Sequence, residues 1–179
     1  VLSRPERDTV AVSGKSSGKS WSIDGGVSSQ FVSGILFALP ILGGGRLEIT
    51  GCTESAGYID MTVSAMLKFG VDVKKTDTGY AVSGGYHTPG RAEVEGDWSN
   101  AAFWLAAGEL CSGAVRCTGL DVHSGQGDRT AVDILPRLGG GAAVDARDIP
   151  DLVPILAVTA ALKCGKTTFT NAGRLRIKE

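Results

Sequence analysis

Apolar runs rich in Ala, Gly, Leu and Val alternate with short β-branched stretches along the chain, and glycines punctuate the boundaries. Phe31 to Leu42 is a strongly apolar run that follows Gly25-Gly26, and Ser28 or Ser29 is placed to cap the helix it predicts. Tyr58, Met61, Ala65, Met66, Leu67 and Phe69 form an approximate helical stripe ended by Gly70. Helices are also expected over Ala101 to Leu110, Thr130 to Leu138 and Leu152 to Leu162. Strands are expected at Thr9–Ser13, Trp21–Ile23, Arg46–Thr50, Arg91–Glu95, Ala114–Gly119 and Thr167–Asn171. Val71–Lys74 and Gly79–Ser83 read as a hairpin turning through Thr76-Asp77-Thr78-Gly79.

These elements repeat. Asp24, Asp97 and Asp148 each lead into a helix start, a small-residue apolar helix, a turn and a β-rich strand. The order predicts an α/β (α+β) fold of βαβαββ units. Their first helices carry so few charges that they should be buried from several sides. The interval from Asp97 to Asp148 is shorter than that from Asp24 to Asp97 by about a hairpin. A hairpin is therefore expected to be missing near 139–146, with a domain boundary near Glu95-Gly96.

Glycine, 26 of 179 residues, is about twice its usual share, which suits many tight turns. A net charge of −1 leaves no basic footprint for nucleic acid, so any anion site must be local. No apolar run is long enough to span a bilayer, and the charged beginning is unlike a signal peptide. Cys52, Cys111, Cys117 and Cys164 lack metal-ligand spacing and read as core thiols in a reducing cytoplasm. Neither a metal nor a cofactor is expected. His87 and His123 fall in loops and read as exposed, and both chain ends read as cut.

Gly14-Lys-Ser-Ser-Gly18-Lys19-Ser20 looks like a phosphate-binding loop, but that motif needs four residues between its glycine and Gly-Lys-Ser, and three stand here. Trp21-Ser22-Ile23 also continues as a strand, so the segment reads as a turn. Ser28-Ser29-Gln30 is the better anion candidate. A helix start presents N–H groups and the positive end of the dipole, to which two hydroxyls and an amide add donors. By residue type alone Asp151 reads equally as the cap of the helix after it, and Lys178-Glu179 as a solvated ion pair.

Asp24-Gly-Gly-Val-Ser-Ser-Gln-Phe31, Glu95-Gly-Asp-Trp-Ser-Asn-Ala101, Gln126-Gly-Asp128, Asp148-Ile-Pro-Asp151 and Arg174-Leu-Arg-Ile-Lys-Glu179, taken in order, resemble the 5-enolpyruvylshikimate-3-phosphate synthase family. The resemblance implies a two-domain enolpyruvyl transferase-like fold, incomplete here. Residues 1–95 would be the C-terminal part of the first domain and 96–179 the N-terminal part of the second.

It implies a cytoplasmic, cofactor-free enzyme, monomeric when complete, that transfers enolpyruvyl from phosphoenolpyruvate to the 5-hydroxyl of shikimate 3-phosphate. Carried over by motif, Ser28, Ser29, Gln30, Ser55, Tyr58, Arg174 and Lys178 contact substrate, Asp151 takes the hydroxyl proton, and Glu179 moves a proton at the methylene carbon. Ala56-Gly57 stand where the family more often has Lys-Pro. Further basic residues of the family's phosphoenolpyruvate site would lie outside residues 1–179, so these residues alone are expected to be inactive. The alternatives are enolpyruvyl transfer to UDP-N-acetylglucosamine, or a non-catalytic repeat module.

Overall fold

Two separate hydrophobic cores organise the computed structural model, which describes residues 2–3, 8–14, 18–53, 56–111 and 113–176. Between the cores, residues 84–97 form neither helix nor strand. The architecture is mixed α/β.

Before the first core, β1 (Leu2–Ser3) pairs antiparallel with β2 (Ala11–Val12). The core itself is built from β3 (Ser20–Asp24), α1 (Ser29–Ala38), β4 (Gly45–Thr50), α2 (Ala56–Lys68), β5 (Asp72–Thr76) and β6 (Gly79–Ser83). The strands lie in the order β3-β4-β6-β5, with β3 and β4 parallel and the other neighbours antiparallel. Thr76 pairs with Gly79, so the hairpin turns where the sequence places it. Val32 and Leu36 of α1, its C-cap Leu39, and Ile59 and Met66 of α2 pack against Leu47, Tyr80 and Val82 of the sheet. Along β3 the side chains alternate, Trp21 and Ile23 partly buried and Ser22 exposed, as expected of a sheet with one covered face.

The second core contains α3 (Trp98–Cys111), α4 (Ala131–Ile134) between two 3₁₀ turns, β7 (Gly140–Asp145), α5 (Val153–Leu162) and β8 (Lys166–Thr170). Ala102 and Ala106 of α3 let Leu135, Leu152 and Leu156 approach closely. The Lys163 ammonium donates to the Leu135 carbonyl (2.7 Å) and to Glu109 Oε2 (2.8 Å), joining α3, the turn after α4 and the end of α5. β7 and β8 are parallel, with an irregular register between Gly140 and Ala143.

Equivalent backbone bonds close the repeats. Gly25 N–H donates to Thr50 O, Gly96 N–H to Gly119 O, and Ala146 N–H to Thr170 O, each at 2.9 Å. In the first and third units the threonine hydroxyl also returns to the opposite strand, Thr50 to Ile23 O and Thr170 to Val144 O, both at 3.3 Å. Gly51 and Asn171 then leave the strand with positive φ (72° and 53°). These matches align Asp24 with Asp145, not with the Asp148 that the sequence pattern suggests.

Other expectations need correction. Arg91–Glu95 and Ala114–Gly119 form no strand: among the described residues only the Gly96–Gly119 bond joins those two segments at this point, and a ladder needs partners along its length. The helical segment after Gly127 passes straight into β7, so Gly140–Asp145 belongs to the third unit as its first strand. The first helices are not buried all round. Phe31 and Phe37 of α1, Phe103 and Trp104 of α3, and Val158 and Leu162 of α5 are exposed, because each helix covers only its own core. The cysteines are not core thiols either: Cys52, Cys111 and Cys164 are exposed and Cys117 is half-buried, since each lies at an element end or in a loop.

Leu36 is fully buried under the first sheet, and Leu36→Ala should cost about 2–5 kcal/mol, read from urea unfolding followed by Trp21 fluorescence. Titration of the native protein with an aromatic disulfide should modify Cys52, Cys111 and Cys164 without prior unfolding.

Candidate active site

α1 begins where the β3 strand ends in the tight closure at Gly25, so its N-terminus opens beside the edge shared by the two cores. Ser28 is extended (φ −165°, ψ 132°) and its hydroxyl accepts from Gln30 N–H at 3.2 Å. The capping expectation thus holds for Ser28, while Ser29 is the first helical residue and is buried. No acidic residue stands in this first turn, which keeps the positive end of the helix dipole uncompensated there.

Ser28, Ser29, Gln30, Ser33, Gly34 and Phe37 of this helix form one wall of a cavity of about 540 Å³. Tyr58, Met61, Thr62 and Ala65 of α2 form the second wall, and Pro150 and Asp151 close it from the other core. The two helices are fixed to each other by a polar tie. The Ser33 and Thr62 hydroxyls lie 2.7 Å apart, and Thr62 donates to the Tyr58 carbonyl at 3.0 Å. Ser33 follows Ser29 by one helical turn and Thr62 follows Tyr58 likewise, so the period of the helices, applied to the candidate residues, was the signal that could have found them.

Asp151 lies in the 3₁₀ turn Pro150–Leu152; the N-cap of α5 is Leu152, so Asp151 is one residue short of the cap position. Pro150 and Leu152 are buried on either side of it, which anchors the turn and leaves Asp151 exposed toward the cavity rim. The Tyr58 phenol donates to Asp151 Oδ2 at 3.0 Å, across 93 positions of sequence.

Two of the motifs beyond the cavity are physically joined. Gln126 Nε2 donates to Gly96 O (2.9 Å) and its Oε1 accepts from Trp98 N–H (2.8 Å). Ser99 donates a short hydrogen bond to the buried Asp128 carboxylate, and Asp97 accepts from Ser99 N–H at 2.8 Å, capping α3. These carboxylates reach Tyr58 electrostatically. Burial raises the Tyr58 phenol well above its ordinary value, the charges of Asp128 and Asp151 and the bond to Asp151 raise it further, and Asp97 adds to this.

Ser28, Ser29, Gln30, Tyr58 and Asp151 are therefore brought together. Ser55, Lys178 and Glu179 lie outside the described residues, and Arg174 is placed only by its backbone, in the 3₁₀ turn Gly173–Arg176. His87 and His123 are exposed, outside the cavity walls. Gly18-Lys19-Ser20 leads into β3 and not into a helix, against a nucleotide loop. Among the described residues no group of three or more His, Cys, Asp or Glu could hold a metal ion, and no helix is long and apolar enough to cross a membrane.

A mixed α/β repeat protein whose two cores meet at a cavity, with a helix N-terminus facing a carboxylate, is the class these features define. Residues 6–146 match the family described as EPSP synthase (3-phosphoshikimate 1-carboxyvinyltransferase), and the chain belongs to that family. It is 41% identical to the 3-phosphoshikimate 1-carboxyvinyltransferase of Clostridium acetobutylicum, over 100% of this chain and 46% of the relative. It is 40% identical to that of Clostridium kluyveri, over 95% of this chain and 44% of the relative. Against that of Methanopyrus kandleri it is 36% identical, over 100% of this chain and 46% of the relative. The chain thus spans less than half the length of these relatives.

The raised Tyr58 value fixes the sign of a pH effect. The folded state holds the phenol proton more tightly than the unfolded chain, whose phenol sits near 10.0. The stability that neutral Tyr58 contributes is fully present below about pH 10 and is lost as pH rises above it. Tyr58→Phe should therefore make the alkaline loss of stability shallower, measured by urea midpoints between about pH 8 and 11.

Proposed function

We propose that this chain provides the shikimate 3-phosphate side of an enzyme that transfers enolpyruvyl from phosphoenolpyruvate to the 5-hydroxyl of that acceptor, releasing phosphate. The observation that carries the reading is the shared cavity. The N-terminus of α1, with Ser28, Ser29 and Gln30, faces Asp151 across a space of about 540 Å³, suited to a small phosphorylated ring.

In this reading the acceptor's phosphate rests on the serine hydroxyls and the helix N-terminus, and its ring hydroxyl points to Asp151. Asp151 takes the hydroxyl proton as the oxygen bonds to C2 of phosphoenolpyruvate, and a proton is added at the methylene carbon. Elimination then removes a proton from the new methyl group and breaks the C2–O bond to phosphate, restoring the double bond. Glu179 serves the carbon proton, and Ser55, Arg174 and Lys178 complete the polar surround of the substrates.

The domain reading goes with this function. Residues 1–95 form the closing part of one enolpyruvyl transferase domain and 96–179 the opening part of the other. The second unit lacks its hairpin near 139–146. The alignment to the Clostridium acetobutylicum relative runs over 199 positions for a chain of 179, which supports residues without a counterpart here. The complete enzyme is read as a cytoplasmic monomer without a cofactor.

Titration of shikimate 3-phosphate into the 179-residue chain, followed by amide NMR, should move the Ser28, Ser29 and Gln30 signals first. Ser29→Ala should weaken binding roughly 10- to 150-fold, the loss of one charge-assisted hydrogen bond. Equal shifts with shikimate lacking the phosphate, or none at the start of α1, would contradict the reading.

A further inference from the structure

Tyr58 is held in place from two directions. Its carbonyl is tied through Thr62 to Ser33, which fixes the first turns of α2 against α1. On the other side α2 lies against the second core: a side chain at Gly57 would meet Gly125 O at ordinary contact distance (3.8 Å), and Met61 packs beside Gly125. The phenol, half-buried at this junction, ends on Asp151 Oδ2.

The partner is just as firmly placed. Leu152 N–H donates to Ile149 O at 3.1 Å, and Ile149, Pro150 and Leu152 are all buried, so the backbone under Asp151 has little freedom. The carboxylate projects from this turn at the cavity rim, where its Oδ2 accepts from the Tyr58 phenol at 3.0 Å. A phenolic O–H is a neutral donor that orients a carboxylate and favours its ionised form.

We propose that Tyr58 is a positioning residue for Asp151: a donor carried by one core that fixes the orientation of the carboxylate supplied by the other. This rests on the reading of Asp151 as the proton acceptor. It gives Tyr58 a task beyond lining the substrate pocket, because its hydroxyl is directed at the base and makes the base's geometry depend on how the two cores meet. Tyr58→Phe keeps the ring and removes only the donor.

The test has two arms. In the 179-residue chain labelled with ¹³C at tyrosine Cζ and aspartate Cγ, Tyr58→Phe should move the Asp151 carboxyl signal more than that of any other aspartate. Asp151→Asn should move the Tyr58 Cζ signal and leave Tyr80 and Tyr86 unchanged. An unmoved Asp151 signal in Tyr58→Phe overturns the proposal.

The second arm is kinetic, on a full-length family polypeptide carrying these residues. Tyr58→Phe should lower kcat about tenfold or more, with KM for shikimate 3-phosphate within about twofold, the pattern of a transition-state effect. An unchanged kcat, or a loss confined to KM, overturns the proposal even where the NMR coupling is present. Undiminished turnover in Asp151→Asn would instead remove the functional reading, and the two failures are told apart by that variant.

Discussion

The backbone bond that closes the first and third β-α-β units is the constraint on which the site depends. It runs from the residue leaving the first strand to the end of the second strand, Gly25 to Thr50 and Ala146 to Thr170. Because it pins the strand exit, the chain that follows must turn into its helix at a fixed place beyond the sheet edge. Counted from the aligned acids Asp24 and Asp145, Gln30 and Asp151 fall at the same position in their units, and both line the cavity. One repeated turn, filled once with an amide and once with a carboxylate, thus supplies two chemically different walls.

That difference gives the cavity a direction. The α1 side offers hydroxyls, an amide and the positive end of a helix, with no carboxylate in the first turn. The opposite side gathers Asp151, with Asp128 and Asp97 close behind Tyr58. An anionic group is favoured at the first side and repelled from the second, so a molecule with a phosphate at one end and hydroxyls at the other is oriented before any side chain moves. Tyr58 stands at the border, and its neutral phenol is the form that this field selects.

Much of this was legible in the sequence because it rests on local rules. The Ser28 cap, the α2 stripe ended by Gly70, the hairpin through Asp77-Thr78 and the strand after α5 follow from turn chemistry and periodicity. What the pattern misplaced depends on partners far along the chain. Arg91–Glu95 and Ala114–Gly119 have strand-like residues but no ladder to join. The apolar helices expose Phe31, Phe103 and Trp104 because amphipathicity is too weak in them to say which face is covered. Asp148 was mistaken for the counterpart of Asp24, since only the bonds to Thr50 and Thr170 reveal the register. The Tyr58–Asp151 contact, spanning both cores, had no local signature at all.

A structure of the protein with shikimate 3-phosphate bound would show directly whether the cavity orients its ligand in this way. The phosphate is expected within hydrogen-bond distance of the Ser28 and Ser29 hydroxyls, with a ring hydroxyl on Asp151. A phosphate seated elsewhere, against Lys19 or on the α3 face, with Asp151 out of reach of the ring, would contradict that orientation.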